Sequence, residues 1–347
     1  MRCRRSDSRN NRHNQRGAAL VVAMLVFALC ASLVVAMQGE FSRIFARSAG
    51  VLFAEQAHAY LLGAEDLAGM ALINDYDLDQ QAQNGKDDLT EIWAQPAPPY
   101  ALDEGGWMTG RLTDLQGLFN LNGLGLGTQP QPGAANKERF TAREAQFIRL
   151  LQALGEPEVS EYEAIAITES IADWLDADNN PRDDGAEDDF YSGREPALRA
   201  GNQPMASVSE LLLVANMTPE IYLALAPYVT VWPDQGSRIN IHTAPLAVLR
   251  SINEDDVLSP ITGDEAQSLV DYREETGFAD LTGFLDHPVF ASRKQKMNDV
   301  KSLLDTRSSY FLLSAEVELA QRNMRLYSVL ERRDRSVVTL VRAGGSL

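Results

Sequence analysis

The sequence predicts an α+β protein: one long N-terminal helix packs on an antiparallel sheet, and a large all-α domain is inserted into the sheet domain. Three observations predict this arrangement: an uncharged run near the N-terminus, helical patterns through the middle, and alternating residues near the end. With 347 residues, the chain can support one large or two ordinary domains beyond the first helix.

The uncharged run covers 20 residues, from Ala18 to Met37. As a helix rising about 1.5 Å per residue, it would span roughly 30 Å, the hydrocarbon thickness of a bilayer. A buried core helix is the alternative, but such helices are usually shorter and apolar on one side. The preceding residues 1–17 hold six arginines and one acid, so the positive-inside rule keeps this end in the cytoplasm. We therefore expect residues 18–37 to be a single transmembrane helix.

After the membrane run, a stripe of small and apolar residues recurs at helical spacing, formed by Ala57, Leu61, Ala64, Ala68 and Ala71. The stripe predicts that one helix continues to about Asn74 and packs along one side. A simple anchor followed by a separate helix is the alternative. Residues 75–106 are rich in Gly, Pro and Asp and are predicted to be loop.

Strand patterns lie on both sides of the helical middle. Residues 111–122 predict two short strands around Gln116-Gly117. Near the end, residues 313–319 alternate between apolar and polar, and residues 325–331 and 336–342 predict two more strands with turns near Asn323 and Asp334. We expect residues 38–125 and 306–347 to form one sheet domain and residues 126–305 to be the inserted helical domain.

The inserted region carries helix-start signals. Thr141 and Glu144 have capping-box spacing, and a second helix is predicted for residues 161–175. Further helices are predicted to begin near Val208, Pro219, Pro245, Asp264 and Thr282. Two helix pairs form a weak repeat that resembles helix-hairpin-helix (SAM-like) modules, which often bind DNA phosphates. We interpret these pairs as structural.

The charge of the body excludes nucleic acid as a partner. The chain has 31 basic and 49 acidic residues; without the six arginines and one aspartate of residues 1–17, 25 basic and 48 acidic residues remain. So acidic a body repels DNA and anionic lipid surfaces. The two cysteines, Cys3 and Cys30, lie in the leader and the membrane run, so the exported body has no disulfide.

One stretch, residues 173–195, has the composition of a cation site. It holds nine acids opposed by Arg182 and Arg194. So many carboxylates in one ordered loop repel each other unless a cation neutralises them, and Ca²⁺ accepts about six to eight oxygen ligands in flexible geometry. A solvated acidic loop without an ion is the alternative.

The spacing within this loop supports calcium. Asp176, Asp178, Asn180 and Glu187 occupy the first, third, fifth and twelfth positions of an EF-hand-like run. Pro181 stands where an EF-hand has its turn glycine, so the loop is not an EF-hand. The sequence predicts a calcium site of a different construction.

The leader resembles that of a known family. A basic segment ending at Gly17, followed by Ala18 and an uncharged helix, resembles the class III signal of type IV pilins and type II secretion pseudopilins. That family normally has a glutamate four residues beyond the new N-terminus, where this chain has Val22. The departure, in an unusually long chain, resembles protein K of the type II secretion system, a large minor pseudopilin.

Two further segments resemble the same family: the INIHTAP segment at residues 239–245, and the acidic loop. The family's calcium loop reads roughly DWxDxD followed by GAEDxxY. Carried over to this chain, calcium ligation falls on Asp173, Asp176, Asp178, Glu187 and Asp188. Spacing and proximity alone add Asn180 and Asp189.

The resemblance implies an assembly protein of the bacterial inner membrane, with a cytoplasmic N-terminus before processing and a pilin-like body in the periplasm. Prepilin peptidase would cut after Gly17 and methylate Ala18. The body would cap the pseudopilus tip with minor pseudopilins I and J, above the other pseudopilins. In the family the glutamate is thought to pair with the N-terminal amine of the subunit above, so Val22 suits the first position.

Other function classes share some of these features. A signal-anchored periplasmic calcium-binding adhesin or receptor would have the same anchor and loop, and a type IV minor pilin would have the same leader. An anchored hydrolase is disfavoured, because no nucleophile elbow or phosphate-binding glycine loop occurs. The four histidines are scattered at positions 13, 58, 242 and 287. We expect no enzymatic activity.

Overall fold

The computed structural model describes residues 13–83, 85–103, 105–126, 139–320 and 322–345. The chain divides into two compact units, Met1–Ala59 and Tyr60–Leu347. Most of the predicted leader, residues 1–12, lies outside the described residues.

Within the first unit the described residues belong to helix α1, which runs from His13 to Ala82. Its segment Gly17–Gln81 contains an 18-residue window with a mean hydropathy of 2.9, none of which is buried. The helix is long and apolar enough to cross a membrane, in agreement with the predicted span at residues 18–37.

The strands of the second unit, in chain order, are β1 (Tyr100–Ala101), β2 (Gly106–Asp114), β3 (Phe119–Asn120), β4 (Val229–Thr230), β5 (Ile239–Asn240), β6 (Leu304–Asp305), β7 (Tyr310–Leu319), β8 (Arg322–Arg333) and β9 (Ser336–Ala343). Five of them form one antiparallel sheet in the order β1-β2-β7-β8-β9. Two short parallel pairs, β3-β4 and β5-β6, lie outside it.

The predicted C-terminal meander is confirmed, with a turn at Asp334. The turn predicted near Asn323 lies slightly earlier: β8 already begins at Arg322, and Ala320 takes the left-handed φ of 51° before it. The loop predicted for residues 75–106 is wrong at both ends, since α1 extends to Ala82 and β1 begins at Tyr100.

The first strand of residues 111–122 begins earlier than predicted, at Gly106, and the second is only the two-residue β3. Side chains of β2 alternate between more exposed and less exposed positions, and Leu112 and Asp114 are buried. The sequence hides this alternation because glycine occupies an inward position at residue 110.

The part of α1 that belongs to the second unit packs on the sheet, as predicted. Leu61 and Leu72 are fully buried. Beside them the buried carboxylate of Glu65 accepts hydrogen bonds from Ser328 Oγ (2.5 Å) and Thr339 Oγ1 (2.8 Å), and it pairs with Arg342 at 2.7 Å. One carboxylate therefore fastens the helix to β8 and β9.

Further contacts, with β8 and the turn after it, explain why α1 passes the predicted end near Asn74. Arg332 donates to Asp75 at 2.9 Å, Tyr76 donates to Asp334 at 3.2 Å, and Arg335 pairs with Asp77 at 2.9 Å. Acids near a helix C-terminus oppose the helix dipole, so the local sequence disfavours this extension. Pairing with β8 and the turn after it overrides that preference.

Between β3 and β7 the α-helices are α2 (Ala142–Gln152), α3 (Glu161–Leu175), α4 (Asp188–Ser192), α5 (Pro219–Leu225), α6 (Leu246–Arg250), α7 (Gly263–Glu275), α8 (Leu281–Leu285) and α9 (Asn298–Lys301). The Thr141–Glu144 capping box and the helix at residues 161–175 are confirmed. The helix near Val208 is a 3₁₀ helix, Val208–Leu213. The prediction of an all-α inserted region is wrong, because the short strands β4, β5 and β6 lie inside it.

A buried polar network joins the helical region to the sheet. The Asn240 side-chain amide lies 2.9 Å from both the Asp87 carbonyl oxygen and Ser308 Oγ, and Ser308 Oγ donates to Asp114 at 2.6 Å. Arg332 donates to Asp87 as well as to Asp75. The network places the INIHTAP segment, in which Asn240 lies, at this junction.

His242 of the same segment is 1% exposed, and its Nε2 has no hydrogen-bond partner among the described residues. Burial lowers its pKa to about 4, and the nearby charge of Lys86 adds to this effect. Asp88 opposes the shift and Arg273 reinforces it. The imidazole is therefore neutral at pH 7.

Replacing Arg332 by Gln should lower the free energy of unfolding by about 3–5 kcal/mol, because Asp75 and Asp87 would remain buried without a countercharge. Arg335→Gln, which removes the exposed arginine of the Asp77 pair, should cost less than about 1 kcal/mol. Urea denaturation of the full chain in mild detergent measures both values. An equal loss of unfolding free energy in the two variants would contradict the importance of the buried network.

The stability of the fold should fall at acidic pH through His242. Its folded pKa lies below the unfolded value, so the unfolded state binds the proton first and stability is lost as pH falls from about 6.5 towards 4. The loss should reach about 2 kcal/mol at pH 5. His242→Leu should lose correspondingly less than the wild type between pH 7.5 and pH 5 in denaturant titrations; the same loss in both proteins would rule out this histidine.

Candidate metal centre

The acidic loop begins in the last turn of α3 and returns into α4. Asp173 lies in that turn, and Asp176 caps the helix with its backbone N–H on the Ala172 carbonyl oxygen at 3.0 Å. Below the loop, the ring of Trp174 packs edge-on against Tyr191 of α4, with 5.1 Å between centroids. The two helices and this aromatic pair hold both ends of the loop.

Three predicted ligands converge. Carboxylate oxygens of Asp176, Asp178 and Glu187 all lie within 4.8 Å of one another. Asp178 is exposed, Asp176 half-buried and Glu187 buried. Oxygen donors at such spacing are those that Ca²⁺ and similar hard cations bind.

Several carboxylate oxygens at this point are buried without a hydrogen-bond donor among the described residues. They are Asp173 Oδ1, Asp176 Oδ1 and both oxygens of Glu187. Burial raises the pKa of Asp173 and of Glu187 to about 7, and neighbouring carboxylates add to both shifts. Buried oxygens without donors are costly, so these residues fit a bound cation.

The loop approaches Asp173 closely at a glycine. A Cβ on Gly185 would lie 1.9 Å from Asp173 Oδ2, so no other residue fits there without a shift. Asp173 Oδ2 also accepts the backbone N–H of Arg182 at 3.1 Å. The GAED segment thus folds back directly onto the end of α3.

Asp183 and Asp184, in the other half of the loop, lie near a basic side chain of the protein. Arg139 pairs with Glu169 at 2.7 Å and lies 3.4 Å from Asp184 and 3.9 Å from Asp183. The remaining Glu169 oxygen accepts the backbone N–H of Asp184 at 2.7 Å. These acids share one countercharge, the guanidinium of Arg139.

The structure gives Asn180 and Asp188 other partners. Asn180 donates its backbone N–H and its side-chain amide to Asp178 Oδ1, both at 2.8 Å. Asp188 Oδ1 accepts the backbone N–H of Ala200 at 2.9 Å, and Asp189 is exposed on α4. Asp188 thus positions the chain after α4, while Asn180 shapes the turn at Asp178.

Sequence reasoning missed Asn202. Its backbone N–H donates to the Trp174 carbonyl oxygen at 2.8 Å, and its side-chain amide lies 3.3 Å from the Asp178 carbonyl oxygen. Its Oδ1 is buried without a partner among the described residues, and its φ is 45°. The side-chain oxygen of Asn202 is therefore a further candidate ligand atom for a cation beside the cluster. No spacing rule could have found it, because it lies outside the acidic stretch.

A second acidic group, Asp75, Asp79 and Asp87, also brings carboxylate oxygens within 4.8 Å. Arg332 donates to two of its three members and supplies a countercharge. Burial raises the pKa of Asp75 and Asp79 to about 6, and the negative charge of Asp87 adds to both shifts. We assign this group to the junction between sheet and helices.

Comparison with known proteins places the chain in a family. Two family models, both described as type II secretion system (T2SS), protein K, match residues 117–234 and 239–307. The type II secretion system protein K of Pseudomonas aeruginosa is 35% identical over 92% of this chain and 90% of its own length. That of Pectobacterium carotovorum is 32% identical over 96% of this chain and 98% of its own length.

A solved structure agrees with these relatives. The crystal structure of the GspK-GspI-GspJ complex from the enterotoxigenic Escherichia coli type 2 secretion system contains a chain that matches with a TM-score of 0.72 and 26% identity. The match covers 87% of this chain and all of that one. Fold, family models and full-length relatives agree, and the chain belongs to the protein K family of type II secretion minor pseudopilins.

Proposed function

We propose that the chain caps the tip of the pseudopilus and helps to initiate its assembly for protein export. The observation that carries the proposal is the match, over 87% of this chain, to a chain solved in the GspK-GspI-GspJ complex. By that likeness, the partners of this chain are its own minor pseudopilins I and J. The remaining pseudopilins would follow beneath them.

The proposed location follows from the first helix. One apolar helix near the N-terminus fits a single membrane anchor. The arginine-rich leader would keep its own side of that anchor in the cytoplasm, so the acidic body would lie in the periplasm of a cell whose inner membrane holds the helix.

Processing should occur after Gly17, because a basic leader meets the apolar helix at that glycine. Mass analysis of the protein extracted from membranes should find Ala18 as the first residue, with a methylated amine. In a strain without prepilin peptidase the leader should remain attached. A terminus at Arg2 or Met37 in the normal strain would contradict the proposal.

We also propose that the acidic loop binds Ca²⁺ through Asp173, Asp176, Asp178 and Glu187, with Asn202 as a further oxygen donor. The support is the set of buried oxygens without donors and the convergence of three carboxylates. A bound cation would offset the repulsion among these carboxylates. It would thereby hold the end of α3 to the start of α4.

Calcium should therefore stabilise the full chain in detergent, by about 2.7 kcal/mol at one hundred times its Kd. Glu187→Gln should lose most of the difference in melting temperature between calcium and chelator. Asp183→Asn is the matched control: it removes an acid of the same loop that lies beside Arg139 instead of in the cluster. A wild-type chain that melts identically in calcium and chelator would contradict the site.

The tip position is supported by Val22, which stands where related subunits have glutamate. An unpaired carboxylate in hydrocarbon is costly, so in the family its pairing with an amine above helps to drive assembly. A subunit with Val22 gains nothing from a neighbour above it. Its own Ala18 amine can still receive the glutamate of the subunit below.

Val22→Glu should accordingly leave processing and folding intact and should not strengthen pseudopilus assembly. Labelled wild-type protein should be found only at filament ends, with about one copy per filament. Electron microscopy of gold-labelled filaments measures this distribution. Regular labelling along the shaft would refute the tip position.

A further inference from the structure

Arg182 is a buried basic side chain inside the acidic loop. Its side chain is 2% exposed, and its Nη1 lies 3.7 Å from Asp173 Oδ1 while its Nη2 lies 3.9 Å from Asp176 Oδ2. The same Nη2 also lies 3.6 Å from Glu144 Oε1, at the start of α2. One guanidinium thus lies among three carboxylates, two at the end of α3 and one at the start of α2.

The contacts of this guanidinium are unusual for a buried arginine. None of its three nitrogens makes a hydrogen bond to the described residues. By contrast, Arg149, which is also fully buried, donates to three backbone carbonyl oxygens at 2.7 to 3.0 Å. Arg182 therefore acts on its neighbours mainly through its charge, because it lacks the directional bonds that fix a structural arginine.

That charge has the same sign as a metal ion at the cluster. Asp176 belongs both to the three converging carboxylates and to the contacts of Arg182. A cation held by Asp176 would consequently lie near the guanidinium, and the two would repel each other in a poorly solvated site. Without an ion, the same guanidinium partly offsets the repulsion among the acids.

We propose that Arg182 is a tethered competitor of the metal: it weakens binding of the divalent cation and keeps the loop folded when no cation is bound. The inference rests on the proposed cation site and adds its regulation. It implies that affinity is set below what the carboxylates alone would give. Occupancy can then follow the calcium concentration outside the cytoplasm.

The side-chain charge can be removed without removing the local turn. The contact that orients Asp173 comes from the backbone N–H of Arg182, at 3.1 Å, and is independent of the side chain. Arg182→Gln keeps this bond and a polar side chain, whereas Arg182→Lys also keeps the charge. Arg139→Gln removes a charge from the other half of the loop, where Arg139 pairs with Glu169.

The test measures the Kd for Ca²⁺ of the full chain in detergent, by calorimetry and by competition with a chelator of known affinity. Arg182→Gln should lower the Kd about tenfold, while Arg182→Lys and Arg139→Gln should stay within about threefold of the wild type. In chelator, the melting temperature of Arg182→Gln should be lower than that of the wild type. Saturating calcium should reduce this difference in melting temperature. If this variant unfolds in chelator, it can be purified in calcium and its Kd obtained by competition.

The outcomes separate the two proposals. If the wild type binds calcium but Arg182→Gln binds it equally or more weakly, Arg182 supports the site and the competitor role is wrong. If Arg182→Lys tightens binding as much as Arg182→Gln, the effect is not one of charge and the inference also fails. If the wild type binds no calcium, the proposed cation site itself is wrong.

Discussion

Repulsion among carboxylates is the constraint on which the folded body depends. The junction cluster resolves it with Arg332, which pairs with Asp75 and Asp87, and half of the acidic loop resolves it with Arg139. Asp176, one of the three converging carboxylates, lies 3.9 Å from the guanidinium of Arg182, which makes no hydrogen bond to the described residues. Buried like charges raise each other's pKa and cost stability, so a cation from outside is the simplest remaining source of compensation.

The acidic loop adds a connection among helices that also pack on one another in the hydrophobic core. It joins the end of α3 to α4, and Arg182 extends the same cluster to the start of α2 through Glu144. The Asn240 network in turn joins the helical region to the sheet on which α1 packs.

Local signals in the sequence predicted much of the fold. A capping box marked the start of α2, and period-two alternation marked the C-terminal strands. The extension of α1 to Ala82 was not predictable, because it depends on Arg332 and Arg335, which lie more than 240 residues away. In the metal centre, spacing found the acids of one loop but missed Asn202, which only the fold brings beside Asp178.

The central claim is that a cation occupies the cluster of Asp176, Asp178 and Glu187. The most direct measurement is X-ray diffraction from crystals of the chain with its proposed I and J partners, soaked with Tb³⁺, which binds the oxygen ligands that Ca²⁺ takes. We expect the anomalous difference map to show a strong peak between these three carboxylates. An ordered loop with no peak there, or a peak only at Asp75, Asp79 and Asp87, would contradict the claim.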